Sequence, residues 1–329
     1  MNKLNVKILA TGSYVPEKIL TNADLEKMVE TSDEWITERT GIKERRIIDK
    51  SQNLSDLAFE AAKKAIEKAK IQANEIDVII VATVSGEMPF PATACFLQKK
   101  LGISAVAFDI SAACSGFLYG LTIAKSFIEA GTYKTALLIG SEALSRITDW
   151  NDRNTCVLFG DGAGAMILQA CDDKEESDIL SVSLGADGTY TNLLNIPAGG
   201  SATPTTVETV QQKMHYIKMS GKEVFKLAVC RMTEAAQKAL ELAGKKDEDI
   251  SLYIPHQANL RIIEAVGKRL GVEKEKVYVN VHKYGNMSAA TTIIALDEAI
   301  NSGKLKKGNL ITIMAFGGGL TWGAAVLKI

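Results

Sequence analysis

The chain has 329 residues, 47% of them hydrophobic and 23% charged, and a formal net charge of −1. That length suits about two domains of roughly 150 residues each, and the composition supports an ordinary buried core. Near-neutrality excludes the overall basic excess of a nucleic-acid binder, and no apolar run approaches the roughly 20 residues that span a bilayer.

The chain opens MNKLNVKILATGSYVPEK, which lacks the apolar segment of a signal peptide, so a cytoplasmic protein with no membrane partner is expected. A helical pattern covers Leu57–Lys70. Short apolar runs at Val78–Val84 and Ala105–Ile110 predict buried strands, and Phe117–Ala130 predicts a helix between Ala105–Ile110 and the next strand, Ala136–Ile139. Ala163–Leu168 is a further strand. A polar, acidic stretch (CDDKEES) at Cys171–Ser177 marks a boundary, giving halves 1–172 and 173–329. Gly185–Gln212 has a centre rich in Gly, Thr and Pro and is expected as a long loop region. Helices follow at Phe225–Ala243, Leu260–Leu270 and Ser288–Asn301, with strands at Ser251–Ile254, Val277–Asn280, Leu310–Met314 and Ala324–Leu327. Strands alternating with helices predict an α/β layered fold.

The halves repeat. KAIEKAKIQANEIDVII from Lys64 matches KALELAGKKDEDISLYI from Lys238, IEAG at Ile128 matches INSG at Ile300, and FGDGAGAMIL from Phe159 is similar to FGGGLTWGAAVL from Phe316. Three matches in one order favour a duplicated architecture over the general likeness of α/β segments. At the spacing of the IEAG match, Cys114 falls on Asn286.

Five cysteines, an odd number without a CxxC pair, argue against a disulfide framework or a zinc site. Cys95, Cys156, Cys171 and Cys230 read as reduced thiols. Cys114 differs: in DISAACSGFLYGL a strand runs through small residues into a helix, so the thiol sits at a helix N-terminus, where the dipole favours a thiolate. The plainer reading is a buried structural thiol. Of three histidines, His256 stands just beyond the carboxyl end of a strand, where open α/β sheets bind ligands; His215 and His282 read as structural or surface residues. Asn286, in KYGNMSAATT, is either an ordinary helix cap or a partner of Cys114 across the duplication. Gly317–Gly319 is either a tight turn or a place where backbone approaches a reacting carbonyl. Neither this run nor GDGAG at Gly160 has the spacing of a dinucleotide-binding loop.

Taken together, GSYVPEKILTN at Gly12, TSDEWITERTGIKERR at Thr31, SAACSGF around Cys114, FGDGAG at Phe159, PHQANLRI around His256, YGNMSAA around Asn286 and AFGGGLTWG near the end resemble the β-ketoacyl-acyl-carrier-protein synthase III family over essentially the whole chain. The resemblance implies a thiolase-type five-layer αβαβα fold of two βαβαβαββ halves, usually a homodimer. It implies an acyltransferase that starts fatty-acid biosynthesis by condensing an acyl-CoA with malonyl-acyl-carrier protein, without metal or redox cofactor. It places catalysis on Cys114, His256 and Asn286 and the oxyanion hole on the N–H groups of Cys114 and Gly318. Trp35, Arg39, Arg153, Gly221 and Asn259 are implied to hold CoA, and Phe90 to shape the partner's primer pocket. Lys226, Gln257, Arg261, Lys268 and Arg269 are implied to receive the carrier protein; read plainly, such charges are a solvated face. Met287 and Leu320 depart from the family's commonest residues, Thr and Phe, and bear on primer choice. A related condensing or acyl-transfer enzyme of secondary metabolism stays open as an alternative, as does an inactive scaffold.

Overall fold

The computed structural model describes residues 4–171 and 175–329. The expected boundary between 172 and 173 lies outside the described residues.

The main elements in chain order are β1 (Asn5–Tyr14), α1 (Asp33–Thr40), α2 (Leu54–Ala69), β2 (Val78–Ala82), α3 (Thr93–Leu101), β3 (Val106–Ile110), α4 (Gly116–Glu129), β4 (Thr135–Ala143) and β5 (Asp161–Cys171). They continue with β6 (Ile179–Ala186), α5 (Gly221–Ala243), β7 (Leu252–Pro255), α6 (Leu260–Leu270), α7 (Thr291–Asn301), β8 (Leu310–Gly317) and β9 (Thr321–Lys328). One sheet runs β1-β5-β4-β2-β3 and the other β6-β9-β8-β7. In the first, β2 lies parallel to β3 and β4, while β4–β5 and β5–β1 are antiparallel. The second repeats this with β7–β8 parallel and β8–β9 and β9–β6 antiparallel.

Both faces of the central strands are covered, which is why they read as unbroken apolar runs. Along β4, Leu137 and Ile139 pack outward against Leu57, Ala61 and Leu97 of α2 and α3. Ala136 and Leu138 pack inward with Phe117 and Leu121 of α4, Ile293 and Leu296 of α7, and Ile311 and Ile313 of the second sheet. Met232 and Ala236 of α5 and Val266 of α6 cover the far face of that sheet at Tyr253, Met314 and Val326. The layers are therefore α2/α3, sheet, α4/α7, sheet, α5/α6, as the fold expectation required.

Several sequence expectations change. β1, α3, β6 and the helix Asp33–Thr40 are additions to the expected elements, and the Gly185–Gln212 region holds the end of β6, a two-residue strand and a five-residue helix at Val207–Gln211. Val277–Asn280 is not a strand; it makes an isolated parallel bridge, Tyr253 to Val277. The reason is Gln257. Its amide donates to Tyr278 O at 3.0 Å and accepts from the backbone N–H groups of Asn280 and Val281 at 2.8 and 3.2 Å, so a side chain fills the ladder that a strand would have made.

The duplication holds, but its register differs from the one read in sequence. Helices α4 and α7 begin at Gly116 and Thr291, and each follows a turn whose third residue back has positive φ, Ala113 at 45° and Ser288 at 44°. Cys114 therefore corresponds to Ala289, three residues beyond Asn286. Helix α4 has 14 residues and α7 has 11, so an alignment made at the helix ends slips by three at their beginnings.

Candidate active site

Cys114 sits in the turn Ala113–Ser115 that leads into α4, and it is 8% exposed. The turn is pinned to the opposite half: Ser115 Oγ donates to Thr321 Oγ1 at 2.6 Å, and Thr321 Oγ1 lies 2.9 Å from Ala112 O and 3.2 Å from Gly318 O. His256 follows the last residue of β7 and is held there by its backbone N–H, which donates to Met314 O at 2.7 Å. Its Nδ1 lies 2.6 Å from Thr291 Oγ1. Asn286 is clamped by its backbone, donating to Leu158 O at 2.8 Å and accepting from Gly160 N at 3.0 Å. Its side-chain oxygen accepts the Ser288 N–H at 2.8 Å, which leaves the Nδ2 amide as the free donor.

Two cavities meet at Cys114. One, of 220 Å³, carries Trp35 and Arg39, passes Gly221 and Asn259, and contains Cys114, His256 and Asn286. The other, of 390 Å³, is mostly apolar; Cys114 shares it with Val84, Leu144, Ile196, Ile217 and Gly318. Neither His215 nor His282 lines them, and neither do the other four cysteines. The structure thus brings the three expected catalytic residues into one chamber.

Enclosure of the thiol opposes the thiolate that a helix N-terminus favours. Burial pushes Cys114 up to about 12, while the Ser288 hydroxyl and the cysteine's own backbone N–H pull it down. The positive end of α4 pulls the same way, while desolvation is the largest influence pushing the value up. Burial also lowers His256 to about 3, so the imidazole is neutral at physiological pH. Burial therefore favours a neutral thiol beside a neutral ring over a thiolate–imidazolium pair.

Glu142, at the end of β4, escaped the sequence reading. It is fully buried, and burial raises it to about 7 against hydrogen bonds from Ser85, Ser288, Val84 and Thr83. Ser85 Oγ donates to it at 2.5 Å. Its charge in turn opposes ionisation of Cys114. The Ser288 hydroxyl pulls both groups downward, yet no well-aligned hydrogen bond holds it. Ser288 and Thr291 were likewise missed. Their only signal is a run of small residues after Asn286, which also suits plain helix packing.

At the outer end of the first cavity, Arg153 and Arg39 stand over the Trp35 ring, 4.4 and 5.8 Å from its centroid. Asn259 caps α6 and donates to Arg39 O at 3.0 Å. Phe90 lines neither cavity and is 81% exposed. Lys226, Arg261, Lys268 and Arg269 are exposed, and Arg261 stacks 5.9 Å from the ring of Phe225, which lines the first cavity. Gln257 is a correction. It is fully buried, with both ends of its amide bonded to backbone, so it belongs to the fold and not to a docking surface.

Residues 108–188 match 3-oxoacyl-[acyl-carrier-protein (ACP)] synthase III, and residues 240–329 match the C-terminal part of the same family. The chain is 57% identical to a β-ketoacyl-[acyl-carrier-protein] synthase III of Caldanaerobacter subterraneus subsp. tengcongensis, over 99% of this chain and 98% of that one. It is 56% identical to the protein of that name from Natranaerobius thermophilus, over 98% and 99%. The crystal structure of 3-oxoacyl-[acyl-carrier-protein] synthase III from Aquifex aeolicus superimposes with a TM-score of 0.91 at 50% identity, covering 98% of this chain and 100% of that one. In fold, in sequence and in the arrangement of its layers, the chain belongs to the 3-oxoacyl-[acyl-carrier-protein] synthase III family of condensing acyltransferases.

Proposed function

We propose that the chain condenses a short acyl-CoA primer with malonyl-acyl-carrier protein, giving a β-ketoacyl-carrier protein, CO₂ and free CoA, and so initiates fatty-acid biosynthesis. The observation that carries this is the convergence of Cys114, His256 and Asn286 in a cavity that also holds Trp35 and Arg39. A stacked indole and guanidinium suit a purine ring and its phosphates, and the cavity between suits a pantetheine arm passing Gly221 and Asn259.

In the first half-reaction the Cys114 sulfur attacks the primer thioester, and CoA leaves as a thiol carrying the cysteine's proton. The N–H groups of Cys114 and Gly318 hold the oxyanion. The acyl group then occupies the second, apolar cavity. In the second half-reaction malonyl-carrier protein loses CO₂, and the enolate oxygen receives hydrogen bonds from the ring N–H of His256 and the Nδ2 of Asn286. The enolate carbon attacks the acyl carbonyl, the C–S bond breaks, and the Cys114 sulfur leaves as a thiolate that takes up a proton from water. The N-terminal half, 1–172, supplies the nucleophile, and the C-terminal half, 173–329, supplies the two donors. This chemistry calls for neither metal nor redox cofactor.

The carrier protein docks on Lys226, Arg261, Lys268 and Arg269, next to the mouth of the first cavity. The enzyme works as a homodimer in the cytoplasm. Two features support the dimer: β3 is an edge strand with Val106 47% exposed, and Val84, Met88 and Phe90 present apolar surface nearby in sequence at 37, 47 and 81% exposure. Among the described residues no helix is long and apolar enough to cross a membrane.

Intact-mass measurement of the protein offered a panel of acyl-CoAs, then malonyl-carrier protein, tests the reading. A primer adduct on Cys114 that disappears as β-ketoacyl-carrier protein forms is the expected result. An adduct that malonyl-carrier protein cannot discharge would assign the enzyme to another acceptor.

A further inference from the structure

In the second half-reaction a neutral His256 can donate to the enolate oxygen only through a protonated Nε2, because its Nδ1 faces Thr291. Burial keeps the ring neutral, so it carries one proton, and something must place that proton on Nε2.

Thr291 is fully buried at the first position of α7. Its hydroxyl lies 2.6 Å from Nδ1 and 3.0 Å from Ser288 O. One hydroxyl proton serves one of these acceptors. Ser288 O already receives the backbone N–H of Thr291, so it does not depend on the hydroxyl. We propose that the Thr291 hydroxyl donates to His256 Nδ1, fixing the ring proton on Nε2 and so making Thr291 the positioning residue for the decarboxylation step. The role rests on the condensing function proposed above. Thr291 itself touches no substrate; it acts through the ring, whose backbone Met314 O fixes separately at 2.7 Å.

The test uses full-length protein labelled with ¹⁵N in its histidines. There are three, so His215→Gln and His282→Gln assign the His256 signals by elimination. The expected wild-type spectrum is a neutral ring protonated at Nε2. Thr291→Val keeps the side-chain shape and removes the hydroxyl. It is expected to move the ring toward the Nδ1-protonated form and to lower condensation about 100-fold, the loss typical of one oxyanion donor, while acyl-Cys114 forms at the wild-type rate. Thr291→Ser retains the hydroxyl and is expected to restore both the tautomer and condensation. An Nδ1-protonated ring in the wild type overturns the proposal, as does wild-type condensation by Thr291→Val. Should Thr291→Val fail to fold, the wild-type and Thr291→Ser spectra still decide the tautomer. A wild-type protein that forms acyl-Cys114 but never condenses would instead overturn the proposed function, and would leave the tautomer result standing.

Discussion

Gly317 of β8 packs directly on Cys114: a Cβ there would stand 2.5 Å from the cysteine's backbone nitrogen and 3.1 Å from its Cβ. The other half repeats the contact, with Gly140 of β4 against Ala289, where a Cβ would meet the carbonyl oxygen at 2.4 Å. Each nucleating turn of the central helix layer thus sits on a glycine of the opposite sheet. Gly317→Ala must push the Cys114 turn away, since backbone cannot yield as a flexible side-chain tip can. We expect a destabilisation of about 1–3 kcal/mol, typical of overpacking, and a larger loss of acyl-Cys114 formation than of folded protein, measured by thermal melts beside intact-mass kinetics.

The two half-reactions should separate by mutation. Cys114→Ala is expected to abolish the acyl-enzyme. His256→Ala and Asn286→Ala are expected to acylate Cys114 normally but to lose malonyl decarboxylation by about 100–1,000-fold each, read as release of labelled CO₂. Wild-type condensation by Cys114→Ala would remove the cysteine from the mechanism.

The ionisation of Cys114 can be read by alkylation with a small neutral reagent. Burial raises the thiol to about 12, so the thiolate fraction should grow with pH. The alkylation rate should rise continuously through pH 9. A plateau near pH 7 would mean that the N-terminus of α4 outweighs desolvation.

Glu142 links pH to stability. Its folded-state value is raised from 4.5 to about 7, so the native protein holds a proton that the unfolded chain releases. That contribution favours the fold below pH 4.5 and is lost as pH rises through about 7. His256 has the opposite sign: its value is lowered from 6.5 to about 3, which penalises the fold as pH falls below 6.5. Glu142→Gln removes only the first contribution. Its melting temperature relative to wild type should therefore improve as pH goes from about 5 to 7, and parallel curves would show that Glu142 does not titrate there.

Charge reversal at Lys268 and Arg269 tests the docking face. Exposed charge attraction is screened by salt. The double Glu variant should raise KM for malonyl-carrier protein, flatten its dependence on ionic strength and leave acylation by acyl-CoA unchanged. Unchanged KM at low salt would place the carrier elsewhere.

What the sequence by itself determined follows from local chemistry. Continuous apolar runs announced strands buried on both faces, helical spacing announced Leu260–Leu270 at its observed limits, and ordered motifs carried the family and its Cys114, His256 and Asn286. What needed the tertiary structure were the quantities that depend on neighbours far along the chain. Gln257 looked like a surface residue of a basic motif, and only folding shows it buried as a surrogate strand for Asn280 and Val281. Cys114 stands at a helix N-terminus that favours a thiolate, and only the tertiary structure shows the enclosure that opposes one. Glu142 carried no signal, and Ser288 and Thr291 only the ambiguous one of a small-residue run, because an ordinary strand and such a run become a polar network only when two halves of the chain close around them.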